Sequence, residues 1–241
     1  MISVRPVILP IGQLDLHKFE DAFNQTMKYP TTILKNKYGF EYPYTHDPLS
    51  KKALHLLKGG RQLLDIGCGE GAVSVFYAKK GFQITALDSN KTYLKRFRAF
   101  KKDNDLTNIS IHCTDVVRYH YPFNRYDVVN CLLVGCCMKR SDFEKLLVSV
   151  KQTVKPDGII IMSLRNYLDP EFEDYSRTEK MIESNTFRKK EDCCKIRYYI
   201  EKNRLRDVFK NFKILYYYEG LAPDKYKEVP KHGDSYIICR K

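Results

Sequence analysis

The run Leu63-Leu64-Asp65-Ile66-Gly67-Cys68-Gly69-Glu70-Gly71 constrains the fold more than any other part of the chain. Apolar residues that read as a strand lead straight into glycines at G-x-G-x-G spacing, and a helical pattern follows from Ala72. Glycine takes positive φ without a Cβ penalty and lets backbone approach a ligand, so Gly67 and Gly69, with Cys68 between them, are where a nucleoside is expected to sit. Dinucleotide-binding turns space their glycines as G-x-G-x-x-G and cradle pyrophosphate. Here the third glycine comes one residue early, and the carboxylate of Asp65 stands two residues before the first. That charge repels phosphate and suits the cationic end of an amino acid, which disfavours a nicotinamide oxidoreductase.

Short apolar runs alternate with longer amphipathic ones along the chain. Strands are expected at Gln62–Ile66, Phe82–Leu87, Ile109–Cys113, Tyr126–Leu133 and Ile159–Leu164. Helices are expected at about Asp47–Leu57, Ala72–Lys80, Asp88–Lys102 and Ser141–Val154, with Lys155-Pro156-Asp157-Gly158 as a turn. A further helix near Glu201–Lys210 and an antiparallel pair of strands, Phe212–Tyr218 and Ser235–Arg240, complete the pattern. The predicted fold class is α/β: a Rossmann-like, doubly wound, mostly parallel seven-stranded sheet with an antiparallel C-terminal strand. Such sheets bind ligands at the carboxyl ends of their strands. A chain of 241 residues fits one such domain, expected over 34–241. Residues 1–33 read as an N-terminal extension with a candidate short helix at Leu14–Met27, and the polar, acidic and aromatic stretch at about 165–187 reads as a lid-like loop insertion.

Two more carboxylates fall at strand ends. Asp88 closes the second strand 21 residues after Gly67 and is placed to accept hydrogen bonds from both ribose hydroxyls, with Ser89 next to it. Asp115, just past the third strand, is placed to receive the exocyclic amine of adenine while Val116 supplies apolar contact. Asn130 ends the fourth strand as a wall of the same site. Any one of these acids alone reads as a helix cap or a turn residue. Three at successive strand ends describe a nucleoside with a cationic tail.

The combined pattern resembles the class I S-adenosylmethionine (SAM)-dependent methyltransferases from about residue 34 to the C-terminus. Leu63–Gly71 is similar to the family's first motif, Ala86-Leu87-Asp88-Ser89-Asn90 to its second, Cys113-Thr114-Asp115-Val116 to its third and Tyr126–Val134 to its fourth. Within the superfamily the chain most resembles the tellurite-resistance, TehB-like methyltransferases. Lys37-Tyr38-Gly39, Tyr44-Thr45-His46, Tyr218-Glu219 and Ile238-Cys239-Arg240-Lys241 carry that likeness. The segment Leu221–Asp234 lacks the His-Arg-Thr-Asp type of run expected of that group. The resemblance implies SAM as cofactor and methyl donor, S-adenosylhomocysteine as product, and an in-line displacement in which orientation does most of the work. His46, Arg165 and Tyr38 are the candidate catalytic residues, as base or acceptor-orienting groups.

Composition bounds the partners. Lys+Arg outnumber Asp+Glu by 42 to 29, for a net charge of +13, so the surface attracts anions. The basic residues are spread along the chain, with one local density at Lys91, Lys95, Arg96, Arg98, Lys101 and Lys102 and another at Arg188, Lys189 and Lys190, and they read first as a solvated surface. A small-molecule acceptor such as a chalcogen oxyanion, a thiol or another compact metabolite is the leading expectation. RNA methylation, supported by the basic helix, and SAM binding without turnover are the alternatives. No apolar run approaches the ~18 residues of a membrane span, and the N-terminal residues carry no secretory pattern, so no membrane partner and a cytoplasmic location are expected, as a monomer or homodimer. Among the eight cysteines no Cys-x₂-Cys spacing occurs, which argues against a zinc site or a disulfide framework.

Overall fold

A computed structural model describes residues 32–35, 41–44, 48–189, 195–223 and 231–241. The candidate helix at Leu14–Met27 and the candidate residues Tyr38 and His46 lie outside the described residues. The elements begin with β1 (Thr32–Lys35), β2 (Glu41–Tyr44), α1 (Pro48–Leu56), β3 (Gln62–Ile66), α2 (Ala72–Ala78), β4 (Gln83–Asp88) and α3 (Lys91–Asp103). They continue with β5 (Ile109–Cys113), β6 (Tyr126–Leu132), a 3₁₀ turn at Gly135–Cys137, α4 (Arg140–Thr153) and β7 (Val154–Arg165). The remainder comprises α5 (Pro170–Thr178), β8 (Lys180–Glu183), β9 (Thr186–Arg188), β10 (Ile196–Tyr198), α6 (Arg204–Val208), β11 (Lys213–Pro223) and β12 (Lys231–Arg240).

Seven strands form one sheet in the order β11-β12-β7-β6-β3-β4-β5. The pairs β3–β4 and β4–β5 are parallel and β11–β12 is antiparallel, so the expected mostly parallel sheet with an antiparallel C-terminal end is the observed one. No described helix is long and apolar enough to cross a membrane.

The described residues divide into two compact units. One holds those up to Asn130 together with Gln152–Ile159. Its core follows from the pattern: Leu63, Leu64 and Ile66 of β3, Leu87 of β4 and Val128 of β6 are fully buried, as strands covered on both faces require. In α3, Leu94, Phe97 and Phe100 recur at helical spacing and are buried, while Asn90 caps the helix by accepting from the Thr92 and Tyr93 N–H groups at 3.0 and 3.2 Å. At the amino ends of the strands a single carboxylate ties three segments together. Asp127 accepts the Gln62 N–H at 2.9 Å and the Lys155 ammonium at 2.9 Å, and a Cβ at Gly60 would overlap that carboxyl group.

The other unit holds Cys131–Lys151 and Ile160–Lys241. Phe143, Leu146, Leu147 and Val150 form the buried stripe of α4. The hairpin β11–β12 pairs from Lys213↔Arg240 to Pro223↔Lys231, longer than the sequence pattern suggests, with a register shift between Ile214 and Tyr216. Two expectations need correcting. The stretch read as a loop contains α5 and, with β10, the antiparallel sheet β10-β9-β8. Asp169 caps α5, accepting the Glu171 N–H at 3.0 Å, and Pro170 opens the helix, a favourable start because proline needs no N–H donor there. The Lys155–Gly158 turn is instead part of β7, with Asp157 at φ 60°.

Candidate active site

In the unit that contains the glycine-rich turn, parallel register fixes which strand ends coincide. Ile66 pairs with Leu87 and Asp88 with Cys113, and the ladder runs on through Cys68 N–H to Leu87 O and Thr114 N–H to Asp88 O, both at 2.9 Å. Gly67–Gly69, Asp88 and the Thr114–Val116 segment therefore sit at successive carboxyl ends. Gly67, Gly69 and Gly71 have φ of 67°, 54° and 87°, left-handed values that side chains other than glycine resist. A Cβ at Gly69 would meet no atom within 4 Å, whereas one at Gly71 would overlap the Phe97 ring. The turn is thus open at Gly69 and packed shut at Gly71, a division of roles that spacing alone does not reveal.

Asp65 lies under the turn and is 2% exposed. Its Oδ2 accepts from the Ser74 hydroxyl at 2.6 Å and its Oδ1 from the Asn130 amide at 2.7 Å. Burial lifts its pKa to about 6; the hydrogen bonds from Ser74 and Asn130 pull the other way, and the charge of Asp88 adds to the rise. Asn130 is itself buried, and its Oδ1 has no hydrogen-bond partner among the described residues. A buried acceptor without a donor is costly, so this atom faces a place where a donor is wanted. Ser74, nine residues after Asp65, is a residue that sequence reasoning missed; its signal is a hydroxyl on the first turn of the helix after the glycines.

Asp88 is engaged by backbone on both oxygens, from the Gly69 N–H at 2.8 Å and the Asn90 N–H at 2.7 Å, which fixes the carboxylate beside the turn. Ser89 is exposed. Asp115 accepts the Val117 N–H at 2.9 Å and its other oxygen lies 3.7 Å from the Arg118 guanidinium. Val116 is buried at 8% exposure. Cys68 points its thiol toward the Gly69 carbonyl, and burial together with the charges of Asp65 and Asp88 pushes its pKa far up, so it stays a thiol at neutral pH.

In the other unit, Arg165 ends β7. Its guanidinium donates to Asp234 at 2.7 Å and lies 4.0 Å from Asp169, and Asp234 also accepts the Tyr236 hydroxyl at 2.6 Å. Arg165, a candidate acceptor-orienting group in the sequence, is ion-paired here with Asp169 and with Asp234 on β12. His232 Nδ1 lies 3.3 Å from Asp169, a pairing across 63 residues of sequence that no local signal announces.

Residues 63–158 match the family described as a methyltransferase domain. The ubiquinone biosynthesis O-methyltransferase of Rickettsia typhi is 32% identical over 105 residues, 44% of this chain and 41% of that one. The chain spans 40% to 43% of the length of three such Rickettsia relatives. Among solved structures, TehB from Haemophilus influenzae superposes with a TM-score of 0.62 at 17% identity, covering 82% of this chain and 63% of that one. A SAM-dependent methyltransferase from Methanosarcina mazei superposes with a TM-score of 0.65 at 16% identity, covering 78% and 96%. At such identities the superpositions speak for the fold. The chain shares its fold with SAM-dependent methyltransferases of known structure, and its residues 63–158 match the methyltransferase domain.

Proposed function

We propose that the chain binds SAM at the carboxyl ends of β3, β4 and β5 and transfers its methyl group to a small-molecule acceptor. The observation that carries this reading is the buried Asn130 Oδ1 without a donor, next to the Asp65 carboxylate and the open turn at Gly69. An ammonium group fits that need: it has three donors and a charge that Asp65 complements. In this reading Asp65 and Asn130 hold the amino-acid end, Gly67, Cys68 and Gly69 line the nucleoside with backbone, Asp88 and Ser89 take the ribose, and Asp115 and Val116 take the adenine. Asp88 keeps acceptor capacity on both oxygens after binding Gly69 and Asn90.

SAM supplies a methyl group on a sulfonium, poised for displacement by a nucleophile. The chain's own part is to orient and to exclude water. Cys68, held as a thiol, is not a competing nucleophile. Arg165, already neutralised by Asp234, is a structural cation more than an anion receptor. A small acceptor is favoured by the names of the relatives, which act in ubiquinone biosynthesis, and by the TehB-like fold. RNA as acceptor is the second reading, favoured by the basic face of α3. Incubation with methyl-labelled SAM and a metabolite extract tests the proposal: label should pass into the low-molecular-weight fraction. Calorimetry that detects no SAM uptake by folded protein overturns it.

A further inference from the structure

Given methyl transfer, on which this inference rests, we propose that Leu133 selects the methyl acceptor and favours a molecule with an apolar body, a ring or a hydrocarbon chain, over a bare oxyanion. Leu133 has φ 58°, in the left-handed region where Cβ crowds the following carbonyl oxygen. Asparagine and aspartate tolerate that region because a short polar side chain bonds locally, and a bulky apolar residue does not. Asp105, Asn124, Asp157, Asn185 and Asn203 are the other described residues besides glycine with positive φ. Leu133 is the exception among them.

Its surroundings hold it there. The Leu133 N–H donates to the Ser163 carbonyl at 2.9 Å and lies 3.1 Å from the Ser163 hydroxyl, and Ser163 is buried in β7. Two residues on, a Cβ at Gly135 would overlap Leu164 and the Phe143 ring, so the turn has no room to shift and relax the backbone. Burial is the usual compensation for a leucine in a costly conformation, and here the residue is 41% exposed. Leu133 works against its backbone and gains little from the core. Strain fixed in this way collects at active sites and ligand clamps.

Its place in the chain names the ligand. β6 ends at Leu132, and open α/β sheets receive ligands just past the carboxyl ends of their strands. Leu133 follows Asn130 by three residues, so the length of the chain alone keeps their Cα atoms within about 11 Å. In the proposed reading Asn130 holds the amino-acid end of SAM, which leaves the acceptor as the molecule for Leu133 to meet. A leucine side chain offers neither donor nor charge. A bare oxyanion against it would lose water without gaining a hydrogen bond, whereas an apolar body gains by the burial of both surfaces. Leu132 and Val134 on either side are partly exposed and equally apolar.

The full chain is incubated with methyl-labelled SAM and serial dilutions of a metabolite extract, and the labelled products are separated on a reversed-phase column. Product from the unaltered chain should be retained on the column. Leu133→Asn suits the left-handed backbone and removes the apolar surface. It should raise the extract concentration needed for half-maximal rate about tenfold, within what burial of a leucine supplies, while the maximal rate changes less. Leu133→Met keeps an apolar side chain of similar volume and should stay close to the unaltered chain. The control, Val148→Ser at an exposed position of α4, should leave both quantities unchanged. Calorimetry should find SAM affinity intact in all three variants, and thermal unfolding should place Leu133→Asn no lower than the unaltered chain, because its backbone is relieved. Label in the unretained fraction, an Asn variant that behaves like the Met variant, an equal loss in the control, or a joint loss of stability and SAM affinity overturns the assignment. A chain that binds SAM yet passes label to no fraction overturns the methyl-transfer reading along with it.

Discussion

The Asn130 amide donates to the buried Asp65 carboxylate at 2.7 Å, and the same side chain keeps its own oxygen without a donor among the described residues. Asn130→Ala should therefore act twice. Removing the donor to Asp65 should destabilise the ligand-free protein by about 1–3 kcal/mol in chemical denaturation. Removing the acceptor should weaken SAM at least about tenfold, equivalent to about 1.4 kcal/mol, in calorimetry. A variant that loses stability while keeping full affinity would separate Asn130 from the ligand.

The pH dependence of binding is set by Asp65. Its pKa stands at about 6 in the folded, unliganded protein against ~3.9 for an unperturbed aspartate. The native state therefore holds this proton more tightly than the unfolded chain. Ionised Asp65 works against folding most fully above pH 6, and this effect fades as pH falls toward ~4. An ammonium ligand reverses the preference, so SAM affinity should rise between pH 5 and 7, with proton release visible in buffers of different ionisation enthalpy. Asp65→Asn should remove that pH dependence.

Gly69 and Gly71 make a contrasting pair. Gly71→Ala forces a methyl group into the Phe97 ring at φ 87°, and overpacking of about 1–3 kcal/mol adds to about 1–2 kcal/mol for the left-handed backbone. Gly69→Ala meets no neighbour within 4 Å, so only the backbone cost of about 1–2 kcal/mol applies. Thermal unfolding should rank Gly71→Ala as the less stable, while calorimetry should find SAM binding blocked in Gly69→Ala.

Arg165→Ala should be structural in effect. It leaves the nearly buried Asp234 carboxylate, among the described residues, with the Tyr236 hydroxyl as its remaining hydrogen-bond donor, at roughly 3 kcal/mol of stability, the lower end for a buried pair that loses one member. If the folded variant instead kept its stability and lost only methyl transfer, Arg165 would regain its place as an acceptor-binding residue.

What the sequence discloses about this protein is what is local in it. Asp65, Gly67, Gly69 and Asp88 are legible because a strand, its turn and the next helix are consecutive, and parallel pairing then sets their level without further information. The opposite holds for Ser74, whose role depends on how far α2 turns before facing Asp65, and for His232, which meets Asp169 only once β12 is in place. The helix α5 escapes notice because Glu171, Glu173 and Asp174 read as loop composition, although Asp169-Pro170 in front of them is a helix-start signal. Hydrophobic periodicity registers cores, and α5 has no buried residue.

Asp127 fastens β3 and the start of β7 at the ends away from the glycine turn, through Gln62 and Lys155. In the proposed reading, robustness and ligand handling thereby fall to opposite margins of the same strands. Residues around Gly60, Asp127 and Lys155 can drift or be engineered for heat tolerance while the chemistry at the other margin is left undisturbed.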